Sequence, residues 1–148
     1  MLNIREAIPA DLDEIMRLCA AHAAYEGAEF NPKDSFKDDL HALLFTQSKV
    51  FCLVVETAKG LIGYATCMEQ LATWTARPYL YMDCLFVKEE ARGQGIGQAL
   101  MTRVAEVMKE RQLTEIQWQT PSTNHLAISF YVRLGAKELP KSRFIWRP

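Results

Sequence analysis

Residues 79–100, YLYMDCLFVKEEARGQGIGQAL, carry the most structural information in this chain. The first ten of them are mostly apolar and predict a buried strand at 79–88. Glycines at positions 93, 95 and 97 predict a turn, and the apolar spacing from Ile96 onward predicts a helix directly after it. The unpaired N–H groups and the dipole of such a helix start favour an anion, and glycines let a phosphate approach the backbone.

Alternative roles for the glycine turn fit its residues less well. A turn without a ligand is the simplest alternative, but alternating glycines between a strand and a helix are an unfavourable way to build an ordinary turn. A Walker loop needs Gly-Lys-Ser/Thr where this chain has Gly97-Gln98-Ala99. A dinucleotide fingerprint needs a glycine at its sixth position, and counting from Gly93 or Gly95 gives Gln98 or Leu100.

Around this stretch the sequence predicts a mixed α/β domain with the element order β-α-α-β-β-β-α-β-α-β-β. Strands are expected at 3–7, 50–57, 61–70, 79–88, 115–120, 136–139 and 143–147, and helices at 11–24, 35–44, 96–110 and 124–134. Asp11 and Glu14 have the spacing of a capping box at the start of the first helix. A chain of 148 residues is expected to form one domain, 1–148.

Composition excludes several classes of protein. Apolar residues make up 49% and charged residues 24%, as in globular domains, and 17 basic residues against 18 acidic ones argue against a nucleic-acid partner. No apolar run approaches the roughly 20 residues of a membrane span, and the first residues lack the apolar region of a signal peptide. Four scattered cysteines predict reduced thiols and a cytoplasmic location. The three histidines lack metal-ligand spacing, so no metal is expected.

The segment Arg92-Gly93-Gln94-Gly95-Ile96-Gly97 resembles the acetyl-CoA signature R/Q-x-x-G-x-G/A of the GNAT family of N-acetyltransferases. The preceding strand, the later pair Asn124 and Tyr131, and the order of elements extend this resemblance over essentially the whole chain. Tyr25-Glu26, the segment MDCLFV at 82–87 and residues 124–136 are most similar to the diamine (spermidine/spermine) acetyltransferase branch. The resemblance implies a mixed, mostly antiparallel twisted sheet flanked by helices.

The resemblance also implies acetyl-CoA as the co-substrate. Backbone N–H groups of the glycine turn would hold its pyrophosphate, and the strand before the turn would pair with pantetheine, with the N–H of Leu85 as the oxyanion donor. Asn124 would cap the last helix and reach the pantetheine amide, and a helix cap alone is the structural alternative. The expected cofactor-binding residues are Leu85, Phe86, Val87, Arg92, Gly93, Gln94, Gly95, Ile96, Gly97, Gln98 and Asn124.

Two residues are the catalytic candidates that the resemblance implies. Tyr131 would protonate the leaving thiolate, whereas a tyrosine on a helix is more often a packing residue. Asp83 would be the base, because a carboxylate within an apolar strand needs a reason. The polyamine branch usually has glutamate at this position, so the shorter aspartate favours a water relay. An aspartate paired with an arginine at the strand edge is the structural alternative.

The residues expected to bind substrate are Tyr25, Glu26, Asp83 and Trp118. Between His22 and His41 there are five acidic and two basic residues, a surface that would favour a cationic amine, although a solvated acidic loop fits the same residues equally well. Trp118 could line an amine site or belong to the core.

The favoured function is therefore an acyltransferase that moves acetyl from acetyl-CoA to the primary amine of a small, polyamine- or amino-acid-like molecule. Acetylation of a protein N-terminus or lysine is an alternative, and so is a non-catalytic acetyl-CoA-binding module, which would need neither Tyr131 nor Asp83. The resemblance further implies a homodimer formed through the two C-terminal strands.

Overall fold

A five-stranded sheet lies at the centre of the first of two units in the computed structural model, which describes residues 1–148. The first unit is Met1–Trp118 and the second is Gln119–Pro148. The strands are β1 (Asn3–Glu6), β2 (Val50–Thr57), β3 (Gly60–Ala72), β4 (Arg77–Val87) and β5 (Ile116–Trp118), and the helices are α1 (Leu12–Tyr25), α2 (Phe36–Phe45), α3 (Ile96–Glu110) and α4 (His125–Arg133). None of the helices combines the length and apolarity that crossing a membrane requires.

The strands lie in their sequence order, β1 to β5, and every neighbouring pair is antiparallel except β4 and β5, which are parallel. This arrangement confirms the expected mixed, mostly antiparallel sheet. The parallel pair is reached through α3, because a parallel neighbour requires a crossover connection. The expectation of a single domain stays a prediction, since the chain divides into two units.

Helices cover the sheet of the first unit and bury its core. One buried cluster joins α1, α2 and the sheet: it contains Leu12, Ile15, Leu18, Leu44, Cys52, Val54, Leu61, Tyr64 and Phe86. A separate apolar face belongs to α3, whose buried residues are Ile96, Leu100, Met101, Val104 and Val107. The 3.6-residue spacing of that second set is what made α3 predictable from the sequence.

The predicted capping box at the start of α1 is wrong. The carboxylate of Asp11 accepts two hydrogen bonds from the Arg5 guanidinium, at 2.7 and 3.0 Å, and one from the Ile8 N–H at 2.8 Å. Glu14 instead accepts from the Leu61 N–H at 2.8 Å. Neither carboxylate caps α1: Asp11 binds β1 and the residues just before the helix, and Glu14 makes a tertiary contact with β3. Arg5 keeps the pKa of Asp11 below its ordinary value.

The two predicted C-terminal strands are also absent: residues 136–148 form no strand in the second unit. Alternating apolar residues predict a strand, but a strand also needs ladder partners for its backbone groups, and residues 136–148 form no ladder. Phe144, Ile145 and Trp146 are accordingly exposed, at 88%, 61% and 84%. The β3–β4 connection is shorter than expected, because both strands continue to a tight turn at residues 73–76.

Candidate active site

A bulge in β4 determines how Asp83 is presented. Cys84 pairs with Thr66 and Met82 pairs with the next residue of β3, Cys67, so Asp83 is the extra residue on β4. Such a residue has no partner opposite, and bulges are common beside active sites. Asp83 is exposed, which corrects the expectation of a carboxylate buried within the strand. It forms no ion pair with an arginine, so the structural alternative lacks the partner it requires.

Directly after the bulge, β4 has a free edge. The parallel ladder with β5 covers only residues 80–82 of β4 and ends where Met82 lies beside Trp118. From Cys84 to Val87 the strand is paired on its β3 side alone. The sheet therefore presents unpaired backbone groups at this edge, and an extended ligand can add to it as a further strand.

The alternation of the backbone identifies which groups point out of that edge. The Lys88 N–H donates to the Ile62 carbonyl on β3, at 2.8 Å. Successive residues of a strand point their backbone groups to opposite sides, so those of Val87 and Leu85 point away from β3. The contact of the Val87 carbonyl agrees with this orientation, because it accepts a hydrogen bond at 2.9 Å from Nε of Arg92 in the glycine turn, outside β3. The N–H and carbonyl of Leu85 consequently face the free edge, as expected for an oxyanion donor.

The glycine turn joins the end of β4 to the start of α3. Gly93 and Gly95 have φ of +72° and +77°, the left-handed region that side chains disfavour. A Cβ at either position would meet no protein atom within 4 Å, so the space above the turn is open. Gly95 is the N-cap of α3, while Ile96 is buried and anchors the helix start. The N–H groups of the first turn of this 15-residue helix are available to an anion.

The remaining cofactor-binding candidates of the turn lie around these glycines: Gln94 and Gln98 are exposed, and Gly97 is half-buried in the first turn of α3. Arg92 makes contacts within the protein. Besides its bond to Val87, its guanidinium carbon lies 4.0 Å from the centre of the Tyr25 ring and 5.5 Å from that of Phe86. Arg92 thereby links the turn to the end of α1, next to Glu26.

A cluster around His22 was not predicted from the sequence. Nδ1 of His22 lies 2.8 Å from the hydroxyl oxygen of Tyr64, and Nε2 lies 3.2 Å from Oε1 of Glu26. The imidazole stacks on Phe86, with ring centres 5.0 Å apart and an interplanar angle of 18°. The i,i+4 spacing of His22 and Glu26 was the available signal, whereas Tyr64 is 42 residues away in the chain.

Burial keeps the neighbouring thiols uncharged. It raises the pKa of Cys84 to about 11 and that of Cys67 to about 12, and it also raises the pKa of Cys19 and Cys52. All four cysteines are unpaired. Because a thiolate is the reactive form, these raised pKa values make the four thiols unreactive.

The second unit contains the other two predicted site residues. Asn124 is the N-cap of α4, and its Oδ1 accepts from the Ala127 N–H at 3.2 Å. The capping role is therefore present, and a role toward pantetheine stays a prediction. Tyr131 is half-buried in α4, with its ring centre 5.2 Å from that of Phe130. The helix has no fully buried residue, so Tyr131 is not a core residue of this unit.

Comparisons with known proteins agree with this geometry. The Acetyltransferase (GNAT) family matches residues 14–136. A thialysine N-epsilon-acetyltransferase from Sus scrofa is 33% identical over 148 residues, covering 94% of this chain and 86% of that protein. A spermidine/spermine N(1)-acetyltransferase-like protein 1 from Homo sapiens is 26% identical, covering 93% of this chain and 21% of that protein. The fold is similar to that of an aminoglycoside acetyltransferase from an uncultured soil metagenomic sample, with a TM-score of 0.86, 23% identity, and coverage of 99% of this chain and 96% of that one.

Proposed function

Since the chain belongs to the GNAT family of acetyltransferases and is an N-acetyltransferase, we propose that its acceptor is the primary amine of a small molecule with further cationic groups. Acetyl-CoA is the co-substrate that the family implies. The observation that carries the proposal is the free edge of β4 between the exposed Asp83 and the glycine turn. An acyl donor and a base have to meet at one place for acetyl transfer, and this edge offers groups for both.

The residues of this edge fit acetyl-CoA. The outward backbone groups of Leu85 are suited to an amide of an extended chain, because pantetheine carries peptide-like amides. The open space above Gly93 and Gly95 fits a pyrophosphate, which the N–H groups of the turn and of the α3 start would bind. Arg92 supports this turn through its bond to Val87, so its role is to shape the turn as well as to add positive charge.

Three groups of the chain are assigned to the chemistry. Acetyl-CoA supplies a thioester whose carbonyl carbon is open to attack by the neutral amine. The N–H of Leu85 donates to the carbonyl oxygen as negative charge develops there. Asp83 accepts the proton of the ammonium through a water molecule, because its side chain is one methylene shorter than glutamate. As the C–N bond forms and the C–S bond breaks, Tyr131 donates its phenolic proton to the departing sulfur, and the second proton lost by the nitrogen restores the phenol through water.

The amine side of the site is assigned to the C-terminal end of α1. Glu26 caps this helix with a side chain that is 36% exposed, and Tyr25 is held beside it by Arg92. A carboxylate and an aromatic ring together suit an ammonium group. Trp118 lies beside Met82 at the end of β5, next to the bulge, and would line the same approach. The names of the two relatives, a thialysine N-epsilon-acetyltransferase and a spermidine/spermine N(1)-acetyltransferase-like protein, fit a cationic diamine.

A panel of acceptors tests this function. Release of free CoA thiol is measured with acetyl-CoA and, in turn, spermidine, thialysine, lysine, a neutral monoamine such as propylamine, and a peptide with a free N-terminus. We expect turnover with the diamines to exceed that with the monoamine and the peptide. Preference for the peptide would favour the protein-acetylating alternative, and binding of CoA with no thiol release for any amine would favour the binding module.

We further propose a cytoplasmic homodimer. The four unpaired thiols are compatible with a reducing compartment. The exposed side chains of Phe144, Ile145 and Trp146 form an apolar segment of the kind that a second subunit covers. Light scattering is expected to give about twice the 16.9 kDa of one chain. A value of one chain mass over a wide concentration range would refute the dimer.

A further inference from the structure

The carboxylate assigned to the amine is held by a histidine that is itself fixed from the protein core. We propose that His22 is a positioning residue for the acceptor amine: the buried hydroxyl of Tyr64 fixes its ring, and the ring holds the carboxylate of Glu26 in place. The proposal rests on the proposed function, because Glu26 has to be part of the amine site for its position to matter.

Three contacts fix the imidazole of His22. It stacks on Phe86, it meets the Tyr64 ring edge-on at 5.9 Å between centres, and its Nδ1 is 2.8 Å from the Tyr64 hydroxyl. The His22 side chain is 15% exposed, whereas Tyr64 is 1% exposed. A ring constrained on one face, along one edge and at one nitrogen has a single orientation, and its remaining nitrogen therefore points in a fixed direction. That nitrogen is the one that contacts Glu26.

The same contacts determine which nitrogen carries the proton. Burial raises the pKa of Tyr64 well above its ordinary value, so its hydroxyl keeps its proton and has one to donate. Nδ1 of His22 is a better acceptor than the neighbouring thiols of Cys19 and Cys84, because sulfur accepts weakly. Nδ1 of a neutral His22 is then unprotonated, and Nε2 carries the hydrogen and donates it to Glu26.

In its neutral form, the imidazole orients Glu26 without placing a positive charge beside it. No lysine or arginine forms an ion pair with Glu26. Arg92, a cation of the same region, is held over the Tyr25 ring and bonded to the Val87 carbonyl instead. No lysine or arginine of this chain therefore competes with an ammonium group for this carboxylate, and because the imidazole limits its rotation, less rotational freedom is lost on binding.

The substitution Tyr64→Phe tests this arrangement with the smallest change, because it removes one hydroxyl from a buried ring. With spermidine as the acceptor, we expect KM for the amine to rise about tenfold, as for the loss of one orienting hydrogen bond. We expect kcat and KM for acetyl-CoA to stay within twofold. The matched control is Tyr79→Phe, which also removes one tyrosine hydroxyl from the β3–β4 pair. The hydroxyl of Tyr79 donates to Oε1 of Gln70 at 2.8 Å. Its loss should leave KM for the amine, kcat and KM for acetyl-CoA unchanged.

Two substitutions at His22 separate positioning from packing. His22→Phe keeps a ring against Phe86 and removes both nitrogens, so KM for the amine should rise about tenfold. His22→Gln keeps one donor and one acceptor and should restore KM to within about threefold of the parent value. Equal effects of the two variants would overturn the proposal. If Tyr64→Phe does not fold, this pair of variants decides the question by itself.

A measurement without substrate distinguishes this inference from the proposed function. The nitrogen-15 spectrum of the imidazoles should show His22 protonated at Nε2 alone in the parent protein and a mixture of tautomers in Tyr64→Phe. Protonation at Nδ1 alone in the parent would overturn the inference whatever the substrate is. Conversely, if Glu26→Gln leaves KM for spermidine unchanged, the proposed amine site is wrong. If Glu26→Gln raises KM for spermidine and neither Tyr64→Phe nor His22→Phe does, the amine site stands and the positioning role of His22 is wrong.

Discussion

Replacing Gly95 by leucine is expected to weaken CoA binding while the chain stays folded. Gly95 has φ of +77°, and a non-glycine residue in this conformation costs about 1–2 kcal/mol. No protein atom lies within 4 Å of the added Cβ, so no further steric cost arises within the chain. At about 2–4 °C for each kcal/mol, the melting temperature should fall by about 2–8 °C.

The loss of CoA affinity comes from the space that the leucine side chain fills above the turn. If it keeps a phosphate from one charge-assisted N–H bond, the loss is about 1.5–3 kcal/mol, which is roughly a tenfold to hundredfold weaker Kd. Isothermal titration calorimetry with CoA measures this directly. Gly135→Leu is the matched control, because Gly135 also has a positive φ, +95°, and open space around its Cβ. It should lower the melting temperature similarly and leave Kd unchanged. A Kd for Gly95→Leu within twofold of the parent value would refute the assignment of the turn.

Three further predictions concern the chemistry and the fold. Tyr131→Phe should lower kcat about 10²–10⁴-fold with unchanged CoA affinity and melting temperature, and an unchanged kcat would remove Tyr131 as the acid. Asp83→Asn should lower turnover most near neutral pH and recover at high pH, where the free amine needs no base, whereas an equal defect at every pH in a folded variant indicates a structural role. Asp11→Asn should destabilise the fold by about 2–3 kcal/mol at pH 7, because it breaks the nearly buried pair with Arg5. The pKa of Asp11 is lower in the folded state than in the unfolded state. The stabilisation from its ionised form is therefore complete above the unfolded pKa of about 3.9 and is lost as the pH falls through the folded pKa. Urea unfolding should accordingly show the stability difference between the parent and Asp11→Asn shrinking in acid.

Most of the sheet and all four helices could be predicted because their signals are local. The apolar run of β2 and the helical spacing of α3 depend on residues within one turn or one strand, and the structure has both elements at the predicted places. The strands predicted at 136–139 and 143–147 fail for the opposite reason. A strand needs a partner for its backbone, and a residue pattern contains no information about whether the same chain supplies one.

The candidate site also contains features with a local sequence signal and features without one. The glycine turn was visible because its conformation restricts the residue type at each position. The link between Tyr64 and His22 was not visible, because it depends on how α1 packs on β3, 42 residues further along the chain. The sequence spacing argues against His22 as a metal ligand and suggests no other role for it, whereas its neighbours in the fold are an aromatic ring, a buried hydroxyl and a carboxylate.

The bulge at Asp83 explains why two chemically different groups come from one strand. In a regular strand, residues 80, 82, 84 and 86 would direct their backbone groups to the same side. The Leu80 N–H donates to the Glu115 carbonyl, at 3.0 Å, on the β5 side, whereas the Lys88 N–H donates to β3. One extra residue between them accounts for this reversal. The extra residue turns the N–H of Leu85 toward the edge of β4 that β5 does not cover beyond Met82. It also leaves the carboxylate of Asp83 exposed, two residues before Leu85. The proposed oxyanion donor and the proposed base are thus consequences of the same backbone irregularity, which accounts for a charged residue within an apolar strand.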